Sequence, residues 1–268
     1  MRAKLPRVVI SACLAVFVLA GLLGVGYIAW SPSPPGDPNA VVLRVRSVAG
    51  METPTVLPRP VPDLTVYGDG RIIVAKTTYG AVASTRIMDG RLTAGAYRKL
   101  YKDGLLAGLS TSRTHHADEL IFDAGSTQVE FLSGGLRHTT TIRQGASGPR
   151  EWLVERLTER FTAMRDDDLI RPPITYRPER TAMVAWRPDR MSYGKAEREQ
   201  RWPLRPLPEG DPAGCTVLDW AEAQETKRVI SSAGSVNWRS GGHLYNVLLR
   251  PMLPDEKDCT ALNRPRRG

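Results

Sequence analysis

The chain is poor in the residues that most often announce chemistry. Its 268 residues include 4 His, 3 Cys and 7% aromatic residues, with only 4 Phe. Three cysteines exclude a disulfide-dense scaffold, and the lack of any Cys-x-x-Cys argues against a redox motif or a zinc ribbon. There is no His-Glu-x-x-His, no Gly-x-x-x-x-Gly-Lys and no dinucleotide fingerprint after a strand. Gly145-Ala-Ser-Gly148 lacks the Gly-x-Ser-x-Gly spacing of a nucleophile elbow. These absences lower the expectation of an enzyme without removing it, because catalytic groups also assemble from distant positions. Lysine is scarce too: 7 of 37 basic residues, the rest being Arg. What the chain does have is 41% apolar residues and a formal charge of +9. That composition builds hydrophobic cores, so wholesale disorder is out, and the length allows one large domain or two small ones.

Long apolar runs are equally scarce, with one exception. Val8 to Trp30 runs 23 residues without a charge, after Arg2, Lys4 and Arg7 and before Ser31-Pro-Ser-Pro-Pro-Gly-Asp-Pro38. A helix of that length reaches about 34 Å, enough for the roughly 30 Å hydrocarbon core. A cleavable signal peptide has a shorter apolar region, about 7–15 residues, and ends in a small-x-small site. Here Tyr27 stands three before a cut after Ala29, and Pro34 would follow a cut after Ser33. The run therefore reads as an uncleaved anchor in preference to a signal peptide. Tyr27 and Trp30 suit the aromatic belt, and the basic flank places the N-terminus in the cytoplasm. Ile10-Ser-Ala-Cys13 matches a bacterial lipobox, but most of the apolar run follows the cysteine, so Cys13 reads as an ordinary helix residue. Ala12, Val16, Ala20 and Gly24 form a stripe that either seats a second helix or faces lipid.

Everything after Trp30 then lies outside the cell membrane, in a compartment where disulfides persist. Two cysteines remain there, Cys215 and Cys259, with one possible connectivity. Neither has a His at ligand spacing, so the pair reads as a structural disulfide, stabilising by roughly 4 kcal/mol through loop closure.

Prolines divide the outer chain: eight of 21 fall in residues 32–62 and eight in residues 172–212. The expected organisation is a cytoplasmic stub and transmembrane anchor over 1–30 and a Pro-rich stalk over 31–40. An α+β module follows over 41–168, then a Pro/Arg-rich connecting segment over 169–214, a small helix-strand module over 215–262 and a basic tail over 263–268. In the first module, Val41–Arg46 is a strand candidate, and Leu64–Tyr67 and Ile72–Ala75 flank a Gly68-Asp-Gly70 hairpin turn. Thr93 caps a helix bearing Tyr97, Leu100, Tyr101 and Leu105, with Gly108 as terminator. A second hairpin joins Thr127–Leu132 to Leu136–Ile142 through Ser133-Gly-Gly135, and Pro149 opens a helix carrying Leu153, Leu157, Phe161 and Met164. In the second module, Thr181–Trp186 and His243–Leu249 are strand candidates, and Asp219 with Glu222 suits the start of a helix to Ala233. The expected fold class is α+β: an N-terminal transmembrane helix, an antiparallel sheet with helices on one face, and a small disulfide-stapled α+β module.

Three groups invite a chemical reading. His115, His116, Asp118 and Glu119 bring two imidazoles and two carboxylates within five residues, but adjacent His side chains diverge, and a polar loop explains them without a metal. Asp166-Asp-Asp168 lacks the loop spacing and glycine of a calcium motif and reads as a solvated helix end, while His138 reads as a half-exposed sheet residue. The Arg-rich stretch carries Arg177, Arg180, Arg187, Arg190, Arg198 and Arg201 among aromatic residues. Guanidinium groups pair bidentately with phosphate, so these six are candidates for contact with an anionic surface; a solvated linker is the plainer reading. The charge surplus has addresses: +3 in residues 1–30, +5 in 169–206 and +3 in 257–268, leaving −2 for the rest.

Leu64-Thr-Val-Tyr-Gly-Asp-Gly-Arg71, Arg201-Trp-Pro-Leu204, Cys215-Thr-Val-Leu218, Asn237-Trp-Arg-Ser-Gly-Gly242 and Leu249-Arg-Pro-Met-Leu-Pro-Asp-Glu256 resemble phrases in a group of secreted or membrane-anchored proteins of high-GC Gram-positive bacteria. The resemblance implies an extracytoplasmic place and carries over no activity and no catalytic residues. The expectation is a membrane-tethered extracytoplasmic interaction or accessory module of the cell envelope. Its partners would be the bilayer through residues 8–30 and an envelope protein or anionic wall polymer, with no nucleic acid, cofactor or metal. The alternative is an envelope hydrolase or metal-dependent enzyme using His115, His116, Asp118 or Glu119.

Overall fold

The structure, a computed structural model, describes residues 33–50, 58–78, 84–116, 124–188, 198–210, 213–234 and 236–262. The apolar run 8–30 lies outside these residues, as do Asp118, Glu119, Arg190 and the tail 263–268. No helix among the described residues is long and apolar enough to cross a membrane. Residues 35–268 form one compact unit, separate from 1–34.

The fold of that unit is α+β with two mixed sheets, three helices among the described residues, and a Cys215–Cys259 disulfide. The first sheet has eight strands in the order β5-β7-β6-β1-β2-β3-β4-β8. These are β1 (Val41–Val48), β2 (Leu64–Tyr67), β3 (Arg71–Thr78), β4 (Ser84–Arg91), β5 (Arg113–His115), β6 (Ser126–Ser133), β7 (Leu136–Arg143) and β8 (Ile174–Thr175). All neighbours are antiparallel except β5 and β7. The Gly68-Asp-Gly70 turn forms as expected: Gly70 N–H donates to the Tyr67 carbonyl, and its φ of 79° is one that a side chain resists.

Two helices cover one face. In α1 (Ala94–Leu106) the Thr93 hydroxyl caps the Ala96 N–H, and α2 (Pro149–Thr162) opens on proline. Leu100 and Tyr101 of α1 and Val154, Leu157 and Phe161 of α2 pack on Leu43, Val45, Leu64, Val66, Ile72, Val74 and Phe131. At Gly104 α1 packs tightly on the sheet, since a Cβ there would stand 2.7 Å from the Phe131 ring. Leu153, expected in this core, is only partly buried, and Met164 enters the core from beyond the helix end.

The second sheet has the order β10-β12-β13-β9-β11, built from β9 (Thr181–Trp186), β10 (Glu199–Arg201), β11 (Ala213–Leu218), β12 (Asn237–Ser240) and β13 (His243–Pro251). Helix α3 (Trp220–Ala233) begins with a complete capping box between Asp219 and Glu222. Its Ala223 joins Met183, Trp202, Leu207, Leu218, Trp238 and Tyr245 in a second core, where Trp202 and Trp238 meet edge to face at 4.9 Å. The stretch 169–214, expected as a connecting segment, is thus structural: it supplies β8 to the first sheet, β9, β10 and the start of β11 to the second, and Met183, Ala185, Trp202 and Leu207 to the second core. Proline and arginine dominate its composition, but the whole of Ala182–Ala185 is buried, as are Trp202 and Leu207.

The C-terminal segment Met252–Leu262 forms a strap that joins the sheets. Asp255 reaches the first sheet, Glu256 the second, and Cys259 is bonded to Cys215 on β11 with a Cα–Cα separation of 6.1 Å. Ala182, Met252 and Leu262 close the apolar side of this contact.

Candidate functional site

Helices α1 and α2 run antiparallel. Thr93 N–H at the start of α1 donates to the Asp168 carbonyl just beyond α2, and Gly108 after α1 faces Arg150 at the start of α2. Their outer sides leave a groove of about 670 Å³. Trp152 and Leu106 lie in it with 52% and 62% of their surface in water, although the neighbouring Leu157 and Leu100 are core residues. The Arg156 guanidinium stacks 5.1 Å from the centre of the Trp152 ring. The rim carries both signs: Lys99 pairs with Asp103 at 3.1 Å and Arg160 with Asp168 at 2.7 Å, while Glu155, Glu159 and Arg165 face solvent. An exposed Trp beside an exposed Leu, rimmed by mixed charges, has the make-up of a contact surface for a polypeptide, where buried aromatics and arginines carry most of the energy. Asp168 corrects the reading of Asp166-Asp-Asp168 as a solvated helix end: it is buried, and Arg160 holds both of its oxygens.

Of the six candidate arginines, Arg190 lies outside the described residues, and the other five do not form one patch. Arg177 and Arg180 precede β9, and with Arg71, Tyr176 and Leu253 they border a crevice of about 30 Å³, the size of one water molecule. Arg180 donates to the Lys257 carbonyl. Arg187 follows β9 at the other end of the second sheet, the end that also receives Arg201 through the pairings Trp186–Asn246, Trp238–Tyr245 and Arg201–Arg239. Six residues of β9 separate the two groups by roughly 17 Å. Arg198 stands before β10, its carbonyl accepting from Asn237 N–H. A stretch that is dense in sequence is therefore spread over two ends of a sheet.

His115 and His116 are also parted. His115 sits on β5, a strand pairing parallel with β7, where a loop was expected, and its Nδ1 lies 2.5 Å from Glu151 of α2. Glu151 is held below the usual carboxylate range, first by a backbone N–H at the helix start and further by His115. His116 is exposed, and His138 is half-buried on β7 as expected. Among the described residues no group of three or more His, Cys, Asp or Glu is placed to hold a metal ion.

The densest electrostatics lie under the strap. Arg44 Nη2 donates to both oxygens of Asp255 at 2.7 and 2.8 Å, and the Tyr67 hydroxyl donates to Oδ1 at 2.8 Å. Burial raises the Asp255 carboxyl, but Arg44 and these hydrogen bonds outweigh it and leave the group below its ordinary range. Burial and the Asp255 charge push the Tyr67 hydroxyl far up. Arg250 grips Glu256 through two bonds of 2.5 and 2.8 Å, and Leu253 N–H completes the carboxylate's shell. Arg46 has a 3.2 Å contact with Glu130, and its Nε has no partner among the described residues. Burial and neighbouring Arg44 push that guanidinium down to about 10. The Arg44–Asp255 pair links segments 211 residues apart that no local sequence signal joins, whereas Arg250 and Glu256 are six residues apart; both carboxylates are saturated, so the strap pairs hold the fold and leave neither carboxylate open to a ligand. No family model matches the chain, and no curated protein or solved structure matches it either.

Proposed function

We propose that the chain is a membrane-tethered extracytoplasmic interaction module of a bacterial cell envelope, and that the groove between α1 and α2 takes an amphipathic helix of an envelope protein. The charge-free run Val8–Trp30 supports the tether, and the Cys215–Cys259 bond supports an oxidising compartment. One observation carries the interaction reading: Trp152 and Leu106 are displayed to solvent in one groove between antiparallel helices. The mixed charges of its rim suit a polypeptide bearing both signs better than an anionic wall polymer, and among the described residues the scattered arginines add no continuous basic track.

The test has two parts. In isolated envelopes the protein should resist alkaline extraction, and Cys215 and Cys259 should stay closed to alkylation until a reductant is added. A photo-crosslinker at Leu106 should join one envelope protein, the same one reached from Glu155, and Trp152→Ala should abolish both adducts. Loss of the protein to the soluble fraction defeats the tether; adducts unchanged by Trp152→Ala defeat the groove. The enzymatic alternative on His115, His116, Asp118 and Glu119 has one contact in its favour, the His115–Glu151 pair, which orients an imidazole as acid–base sites do. A hydrolytic activity of the purified protein that His115→Gln removes while leaving its thermal unfolding unchanged would favour that reading.

A further inference from the structure

We propose that one end of the eight-stranded sheet rests on the lipid bilayer, with Leu136 and Ile170 inserted into the interface; this rests on the tether reading above. The first observation is where the chain joins the folded unit. The Pro35 carbonyl accepts from the Tyr97 hydroxyl at 2.6 Å, and Gly68 N–H donates to the Ala40 carbonyl. The chain therefore arrives beside the β2–β3 turn, at the end of the sheet where β1 and β3 begin and β2 and β4 finish. Only Ser31 to Pro34 separate Trp30 from Pro35. Five residue steps reach at most about 18 Å even when fully extended. A bilayer spanned by Val8–Trp30 thus ends within that distance of Pro35.

The second observation is what else stands at that end. Register places the β6–β7 turn there, because Leu43 pairs with Phe131 and with Val66, so Ser133–Leu136 lies level with Val41 and Tyr67. Leu136 at its tip is 66% exposed. On the other side, Ile170 N–H donates to the Arg91 carbonyl at the finish of β4, and Ile170 is 63% exposed. They are the two most exposed large apolar side chains among the described residues. They flank the arriving chain at strand positions roughly 25 Å apart. Two apolar tips astride a short tether form a base that would seat on a flat apolar-polar boundary, as interfacial side chains do. The charges there are mixed: Arg137, Arg165 and Arg171 stand against Asp37, Asp166 and Asp167, and Arg91 is paired with Asp69. Contact therefore depends on the apolar tips and not on anionic lipid. Trp152 and Leu106 lie toward the opposite end of the helices, which leaves that part of the groove open to a partner.

The experiment uses the full chain, with Cys13 replaced by Ser, inserted into phosphatidylcholine vesicles. A polarity-sensitive fluorophore is placed in turn at Leu136→Cys, at Ile170→Cys and, as the control at the far end, at Ser147→Cys. The expected result is a blue-shifted emission, quenched by brominated lipid, at 136 and 170 and neither effect at 147. Equal, fully hydrated emission at all three positions in a protein that resists alkaline extraction overturns the inference and leaves the tether standing. A shift that needs phosphatidylglycerol in the vesicles overturns the apolar mode of contact. Release of the protein by alkaline extraction overturns the tether, and this inference with it.

Discussion

Leu43, Val45, Leu64, Val66, Ile72 and Val74 face α1 and α2, whereas Arg44, Arg46, Thr65, Tyr67 and Glu130, each one residue along, face the other side of the same strands. Both faces are buried: Val66 and Thr65 are each at 0% exposure. The aliphatic face is covered by helices from the same stretch of chain, and its contacts are non-directional, so volume is what it demands. The other face is covered by a strap from the far end of the sequence and is held by charges that must find their partners. Burying ions without partners costs several kcal/mol, so this face contributes to specifying which segment covers it more than to net stability.

The largest expected effect breaks the ionic side. Arg250→Ala leaves the Glu256 carboxylate, 2% exposed, with only the Leu253 N–H, and unfolding in urea should show a loss of about 3–5 kcal/mol. The double variant Arg250→Met/Glu256→Leu should recover most of that loss, because a matched apolar pair removes the stranded charge. If the single variant loses less than the double, the ion pair does not hold the strap. On the aliphatic side Leu100→Ala should cost about 3 kcal/mol by opening a cavity. Gly104→Ala, although it favours helix, should cost about 1–3 kcal/mol because the new methyl meets the buried Phe131 ring.

Acid separates the faces without mutation. Asp255 titrates lower in the folded state than in the unfolded chain, so its contribution is fully present above the unfolded carboxylate range and is lost as pH falls through the folded value. Wild-type stability should therefore decline below about pH 4, and Asp255→Asn should be less stable at neutral pH with a flatter acid limb. Leu100→Ala should shift the whole curve down without changing its shape. An acid limb of unchanged slope in Asp255→Asn would assign the decline to other carboxylates.

Which features the sequence announces follows the same division. The hairpin turns, the Thr93 cap, the Asp219–Glu222 box and the helical register of Leu157 and Phe161 are local, and each is legible from a few neighbouring residues. Cys215–Cys259 is legible because two cysteines leave one pairing. The burial of Arg44 and Arg46 within the Val41–Arg46 strand candidate is not legible, because the segment that pairs with Arg44 is 211 residues away and no local pattern reports it. The Pro/Arg-rich 169–214 reads as a linker for the same reason: β8, β9 and β10 find partners in two different sheets. The groove carries a faint signal, Trp152 lying one residue off the apolar line of α2, where a large aromatic has no core to fill.

A reciprocal pair of near-isosteric swaps gives the finest test of the contrast. Val66→Thr places a hydroxyl among aliphatic side chains beneath the helices with no partner in reach of the local packing. Its cost should be about 1–3 kcal/mol. Thr65→Val, on the adjacent residue, removes the acceptor that Arg44 Nε meets at a long 3.4 Å, while the two Arg44–Asp255 bonds remain. A bond that long contributes little, and the methyl of valine fills the same space, so the loss should be about 0.5–1 kcal/mol. If Thr65→Val instead costs as much as Val66→Thr, the Arg44 guanidinium depends on Thr65 for its orientation. The strap would then be positioned by the strand beneath it as well as by its own carboxylates.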